Sequence, residues 1–210
     1  MQGLIGLVAL AGGAALLAHI LAGVSLVLGV AAAAFLLAGV ALAIGRIASP
    51  ELRRLAARTA AAAAAAGLIA TLAYDAARTG LSLLDSSAYD PYEAVRTFGT
   101  LLAGPAAPAA AILAAGMAYH LVNGVSFGVA YGFLFGRSGE ATVRWALLTG
   151  IGWGLFLEGF QLALYPGWLD IRAVREFAQI SAASHLVYGA TLGVTCRWLL
   201  RRIDPQGART

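Results

Sequence analysis

The chain has 210 residues, 60% of them hydrophobic and only 11% charged, against the roughly 25% charge usual in a soluble domain. A mean hydropathy of +0.82 excludes a soluble or disordered chain, 26 glycines beside 6 prolines exclude a collagen-like one, and a single cysteine excludes a disulfide or multi-cysteine zinc framework. All 14 basic residues are arginine, for a net charge of +4; they punctuate long apolar runs instead of crowding a solvated face among aromatic platforms, which excludes nucleic acid as a partner and implies the lipid bilayer.

Apolar stretches of roughly 20 residues, the length a membrane helix needs, fall near 2–22, 24–45, 58–78, 108–136, 144–165 and 179–200. Residues 2–45 carry no charge, so the first hairpin has to turn around Ala22, Gly23 and Val24; the alternative is one long tilted span. No basic residue precedes this run as it would in a cleaved signal peptide, and the first helix is expected to be retained. Ser49, Pro50 and Glu51 read as an N-cap, a first-turn proline and a first-turn acid, starting the third helix ahead of the membrane, which it enters near Arg58. The alanine run 60–66 suits close helix packing in lipid.

Segment 79–107 is too long for a turn and carries its own start signal, with Asp90 as N-cap, Pro91 at the first helical position and Glu93 in the first turn. An interfacial helix is expected near 91–103, with Val95, Phe98, Leu101 and Leu102 on one face and Gly104 and Pro105 ending it. A second interfacial piece is expected at 171–177. Either piece serves as a lid over an outward-facing site or as a simple anchor.

Six spans put both termini on one side. That side carries Arg46, Arg53, Arg54, Arg58, Arg137, Arg144, Arg197, Arg201, Arg202 and Arg209, and the other Arg78, Arg96, Arg172 and Arg175. The excess places the termini in the cytoplasm. Trp145 and Trp198 at inner ends, with Tyr165 and Trp168 at an outer end, suit the same interfaces. The expected architecture is an all-α membrane bundle of six spans in a single domain over 1–210, with one or two interfacial helices.

A repeat carries every histidine. His120-Leu121-Val122-Asn123-Gly124 matches His185-Leu186-Val187-Tyr188-Gly189, and His19 with Gly23, Val24 and Ser25 echoes His120 with Gly124, Val125 and Ser126. A step of four sets each histidine above a glycine on nearly the same helix face. The ladder Gly124, Gly128, Gly132 and Gly136 is a packing device, and such glycine-rich faces also offer docking surfaces for a second copy or a membrane-complex partner. Gly150, Gly152 and Gly154 lie inside an apolar helix and form no dinucleotide loop.

Because consecutive spans alternate direction, Asp75, Glu158, His120, His185 and His19 all fall in the outer leaflet. The inner half has only mild polar groups such as Ser126, Tyr131, Thr149, Thr195 and Cys196. A one-sided site fits this distribution better than a conduit, which needs stations across the full thickness. Glu158 leads, as a carboxylate deep in hydrocarbon; its structural alternative is an acid held by Gln161 or by a neighbouring histidine. Asp75 can pair with Arg78, the two repeat histidines can bond to Asn123 and Tyr188, and His19 can cap its helix. Cys196 reads as an inert buried thiol.

Two chemistries suit these residues. His120, His185 and His19 with one carboxylate could hold a divalent zinc or iron ion, the other carboxylate serving as base for a bound water. Without metal, a protonated Glu158 or Asp75 acts as acid and a histidine as base on a lipid-soluble substrate. Two axial histidines could also hold haem.

Residues 120–202 resemble the YagU-like small bacterial inner-membrane proteins. The likeness lies in the histidine-led apolar helix from His120 to Gly136, Trp145-Ala146-Leu147-Leu148-Thr149-Gly150 opening the next span, a break at Tyr165-Pro166, and His185-Leu186-Val187 ahead of Arg201 and Arg202. The extra glycine ladder and Glu158 depart from the pattern. The family has no established activity, so the resemblance implies a bacterial inner-membrane location and no reaction. Taken together, the residues point to a membrane-embedded enzyme or binding protein for a lipophilic small molecule. A small-solute or proton-coupled transporter and a structural subunit are the alternatives.

Overall fold

The computed structural model describes residues 2–85, 89–136 and 142–203. Arg137 and Arg209, both counted in the orientation argument, lie outside the described residues. Among those described there is no strand. Eight helices follow in order: α1 (Gln2–Val8), α2 (Ala11–Ala22), α3 (Leu26–Ile47), α4 (Pro50–Leu84), α5 (Glu93–Ala103), α6 (Ala109–Leu134), α7 (Val143–Trp168) and α8 (Val174–Ile203). By length and composition α3, α4, α6 and α7 can each cross a membrane, and α1 with α2 forms a fifth such stretch bent by 42°, compatible with an integral membrane protein. The 30 residues of α8 are long enough, but Glu176, Ser181, Ser184, His185 and Arg197 leave it too polar to qualify by composition.

The first hairpin turns where expected, and residues 2–45 are not one tilted span. Gly23 ends α2 in the left-handed region, φ 67°, where a side chain would be strained, and its N–H donates to the His19 carbonyl. At the start of α4, the Ser49 side chain accepts from the Leu52 N–H at 3.3 Å, with Pro50 in the first turn. That helix runs to Leu84, past the expected end at 78, because the Arg78 side chain is buried inside the bundle and so does not mark an interface.

Helix α5 begins at Glu93, two residues later than the capping pattern suggests. Asp90 Oδ1 accepts from the Tyr92 N–H at 2.9 Å, a local turn in place of the helix cap, and its other oxygen pairs with Arg96. Nor does a separate interfacial piece form at 171–177. Asp170 turns the chain at φ 52°, the Ile171 N–H donates to the Pro166 carbonyl at 3.0 Å, and residues from Val174 onward already belong to α8. Pro166 does not interrupt α7, which continues to Trp168: it sits in the last turn, where few hydrogen bonds remain to be lost.

The bundle core is built from small residues. One stripe of α4, Ala63, Gly67 and Thr71, lies against Gly124, Gly128 and Gly132 of α6. A matching stripe of α7, Ala146, Gly150 and Gly154, lies against Gly189 and Gly193 of α8. At Gly67 and at Gly150 an added Cβ would strike backbone of the facing helix. Close approach of this kind lets dispersion hold helices together where lipid removes the hydrophobic drive. Helix α4 also packs against α8 through Ala66, Ala70, Leu192 and Cys196, so it is the centre of the bundle. Helix α3 is peripheral: its Gly29 meets Ala15 of α2, while Leu28, Phe35 and Leu42 are exposed.

Candidate functional site

The two stripes end in the same way. Four residues beyond Thr71 stands Asp75, and four beyond Gly154 stands Glu158. Opposite them, at the head of the facing glycine ladders, are His120 and His185. Asp75 accepts from His120 Nε2–H at 3.0 and 3.2 Å, and Glu158 Oε2 lies 2.8 Å from His185 Nδ1. The histidine repeat is therefore half of a larger one: a rising helix with small residues every fourth position and a carboxylate at the end, then a falling helix headed by histidine.

The residue three places after each carboxylate completes each pair. Arg78 donates to Asp75 at 2.8 Å, and its guanidinium lies over the rings of Tyr74 and Tyr92 at 5.0 and 4.8 Å. Gln161 Nε2 donates to His185 Nε2 at 3.3 Å. With Nε2 accepting, the His185 proton sits on Nδ1, shared between Glu158 Oε2 and the Ser181 carbonyl at 3.0 Å. The Ser181 hydroxyl donates to the same Glu158 oxygen at 2.7 Å, and Glu158 Oε1 has no partner. Tyr74 stands between the two pairs, its ring 4.7 Å from His185 and 6.0 Å from His120. The Tyr188 hydroxyl donates to the Gly124 carbonyl at 3.3 Å and ties the two falling helices together one turn below their histidines.

Both histidines face a cavity of about 310 Å³, at the small end for a ligand site. Thr71, Tyr74, Arg78, Asn123, Gln161 and Tyr188 supply its other polar walls, and the rest is apolar. Neither carboxylate lines it. Asp75 and Glu158 stand behind the imidazoles, as orienting groups do. A cluster at the α5 end closes the cavity from above: Phe98 stacks on Trp168 at 6.1 Å and meets Tyr119 and Tyr165 edge-on at 5.4 and 6.3 Å. Beside it Tyr89 meets Phe177, and burial pushes the Tyr89 phenol pKa above its ordinary value.

Of the residues singled out in the sequence, the structure brings Asp75, His120, Glu158 and His185 together. His19 it does not. That imidazole donates from Nδ1 to the Val24 carbonyl at 2.8 Å and sits edge-on to Trp168 at 6.0 Å, outside the cavity lining. The triad His120, His185 and His19 is thus split between two places, and among the described residues no three histidine, cysteine, aspartate or glutamate side chains converge to hold a metal. Cys196 is buried in the small-residue core. Sequence reasoning missed Tyr74 and Ser181. The first adjoins Asp75 at the same depth and the second lies one turn before His185, so each was within reach of an argument from helical spacing.

No protein-family model matches the chain, and no curated protein or solved structure is significantly similar to it.

Proposed function

We propose that the chain is a six-span protein of a bacterial inner membrane with both termini cytoplasmic, whose outer-leaflet cavity binds a lipophilic small molecule and exposes it to histidine acid/base chemistry. The observation that carries this reading is the arrangement of each imidazole between a carboxylate and the cavity. A carboxylate in that place fixes the ring and the tautomer and stabilises the imidazolium formed when the far nitrogen takes a proton. In the second pair that nitrogen is His185 Nε2, held only by the long bond from Gln161. A proton from a bound hydroxyl or acidic C–H passes to His185 Nε2, Glu158 holds the resulting cation, and the proton returns to the product. The sixth crossing is α8, whose polar side chains Ser181, Ser184 and His185 are buried between α4 and α7. The resemblance to the YagU-like proteins supports the same location.

Native mass spectrometry of the protein taken from bilayer nanodiscs made with a total bacterial lipid extract tests this. The expected result is an adduct of one defined mass on wild type, weakened in Tyr74→Ala, and a bound molecule that differs chemically between wild type and His185→Ala. The same molecule on both identifies a binding protein without turnover. No adduct and no thermal stabilisation by any lipid fraction would sink the reading, and pH-dependent solute flux in proteoliposomes would replace it with transport.

A further inference from the structure

One wall of the cavity is unlike the others. Leu10 at the N-cap of α2, with Gly13 and Leu17 inside that helix, lines it on one side and Phe156, Phe160 and Leu164 of α7 on the other. These helices meet at their α5 ends, where His19 faces Trp168 and Leu16 shares a cluster with Tyr165. Below that they make no extended helix contact. Phe156 and Phe160 line the cavity and are also 50% and 43% exposed. Phenyl side chains, meeting edge-on at 5.2 Å, form the wall there, while the α5 end carries the stacked aromatic roof.

The polar lining says what kind of molecule fits. Arg78, the charged residue of the lining, is already matched by Asp75, and neither carboxylate reaches the lining, so an ionised head would enter a low-dielectric site without a free counter-charge. Two lining residues each keep one buried atom without a hydrogen-bond partner: Arg78 Nε, a donor, and Asn123 Oδ1, an acceptor. Such groups cost stability until they are satisfied. A hydroxyl is an uncharged head able to accept from such a donor or to donate to such an acceptor.

Resting on the ligand-binding reading above, we propose that the cavity fills sideways from the bilayer, between α2 and α7, and that its occupant is an uncharged single-chain amphiphile with a hydroxyl head. The cavity of about 310 Å³ holds the head and the first part of one chain, and the rest of the chain leaves between Leu17 and Phe160 into lipid.

The test uses the full chain in phosphatidylcholine nanodiscs doped with a long-chain alcohol bearing a photoactivatable diazirine on its tail, with labelled residues mapped by mass spectrometry. Label is expected on the facing segments of α2 and α7, competed by hexadecanol but not by palmitate at alkaline pH. Asn123→Leu and Arg78→Gln ask which of the two atoms meets the head: one of them should weaken hexadecanol competition about tenfold, the value of one lost hydrogen bond to a buried group, and no change in either overturns the hydroxyl contact. Phe160→Trp, which narrows the gap without touching the polar lining, should slow labelling while thermal stability holds, and it stands if Arg78→Gln fails to fold. Equal competition by palmitate overturns the uncharged head. Label confined to the outer face of α3 and uncompeted overturns bilayer access. If 1-pentanol supplied from buffer stabilises wild type while the long-chain probe never enters, ligand binding survives and sideways filling falls. If neither alcohol binds, both fall.

Discussion

The two histidine–carboxylate pairs share a backbone register and differ in what completes them. In the α4/α6 pair a permanent cation, Arg78, neutralises Asp75, and the side chains of Asp75 and His120 keep 13% and 18% exposure. In the α7/α8 pair a neutral amide, Gln161, takes the place of the arginine. Glu158 and His185 are 2% and 6% exposed, and the carboxylate leans on a hydroxyl and an imidazole alone. A guanidinium–carboxylate couple is a closed electrostatic unit that fixes geometry. A carboxylate whose main partner is an imidazole leaves a proton to be shared. Under the proposed function, the first pair positions and the second handles the proton.

The largest expected effect falls on the scaffold both pairs depend on. Gly189→Leu drives a side chain into the Gly150 carbonyl and the Ile151 backbone, with a cost of about 3 kcal/mol or more and loss of monodisperse protein on gel filtration. Gly152→Leu and Gly159→Leu, where an added Cβ meets nothing, should leave elution and unfolding temperature unchanged.

Next comes the contrast between the acids. Asp75→Asn strands a buried guanidinium and should destabilise by about 3 kcal/mol, most of it recovered in the Asp75→Asn/Arg78→Gln double variant, as thermal unfolding in detergent would show. Glu158→Gln strands no cation, and its amide oxygen still accepts from Ser181 and His185, so about 1 to 2 kcal/mol is expected. Under the proposed function, Glu158→Gln should nonetheless damage turnover of a bound molecule more than Asp75→Asn does. The opposite ranking in turnover would exchange the roles of the two pairs.

The smallest effect belongs to the third histidine. His19→Ala removes one partly exposed bond to the Val24 carbonyl and an edge contact with Trp168, worth about 0.5 to 1 kcal/mol. Ligand binding should be unaffected. A His19 variant that lost the adduct would return this residue to the site.

Much of the site could be read from spacing because helices convert sequence distance into direction. Asp75 with Arg78, and each histidine above its glycine, follow from steps of three and four. Spacing cannot say which helices are neighbours. The partner of Glu158 is on α8 and that of Asp75 on α6, and the metal triad failed because His19 sits at the far end of α2, turned toward its own helix terminus.

Composition and periodicity by themselves determined an all-helical chain with stretches able to cross a membrane, the position of the α2/α3 turn, and a cluster of ionisable groups toward one end of the bundle. Those depend on local hydropathy and on backbone geometry, which each segment carries with it. Tertiary packing alone decided that the carboxylates stand behind the imidazoles, that Tyr74 separates the pairs, that α5 roofs a cavity, and that the space between α2 and α7 is closed only by side chains. Each of these depends on how near two backbones come. In this protein that distance is set by glycines on two helices meeting at once, a coincidence that no single segment of sequence contains.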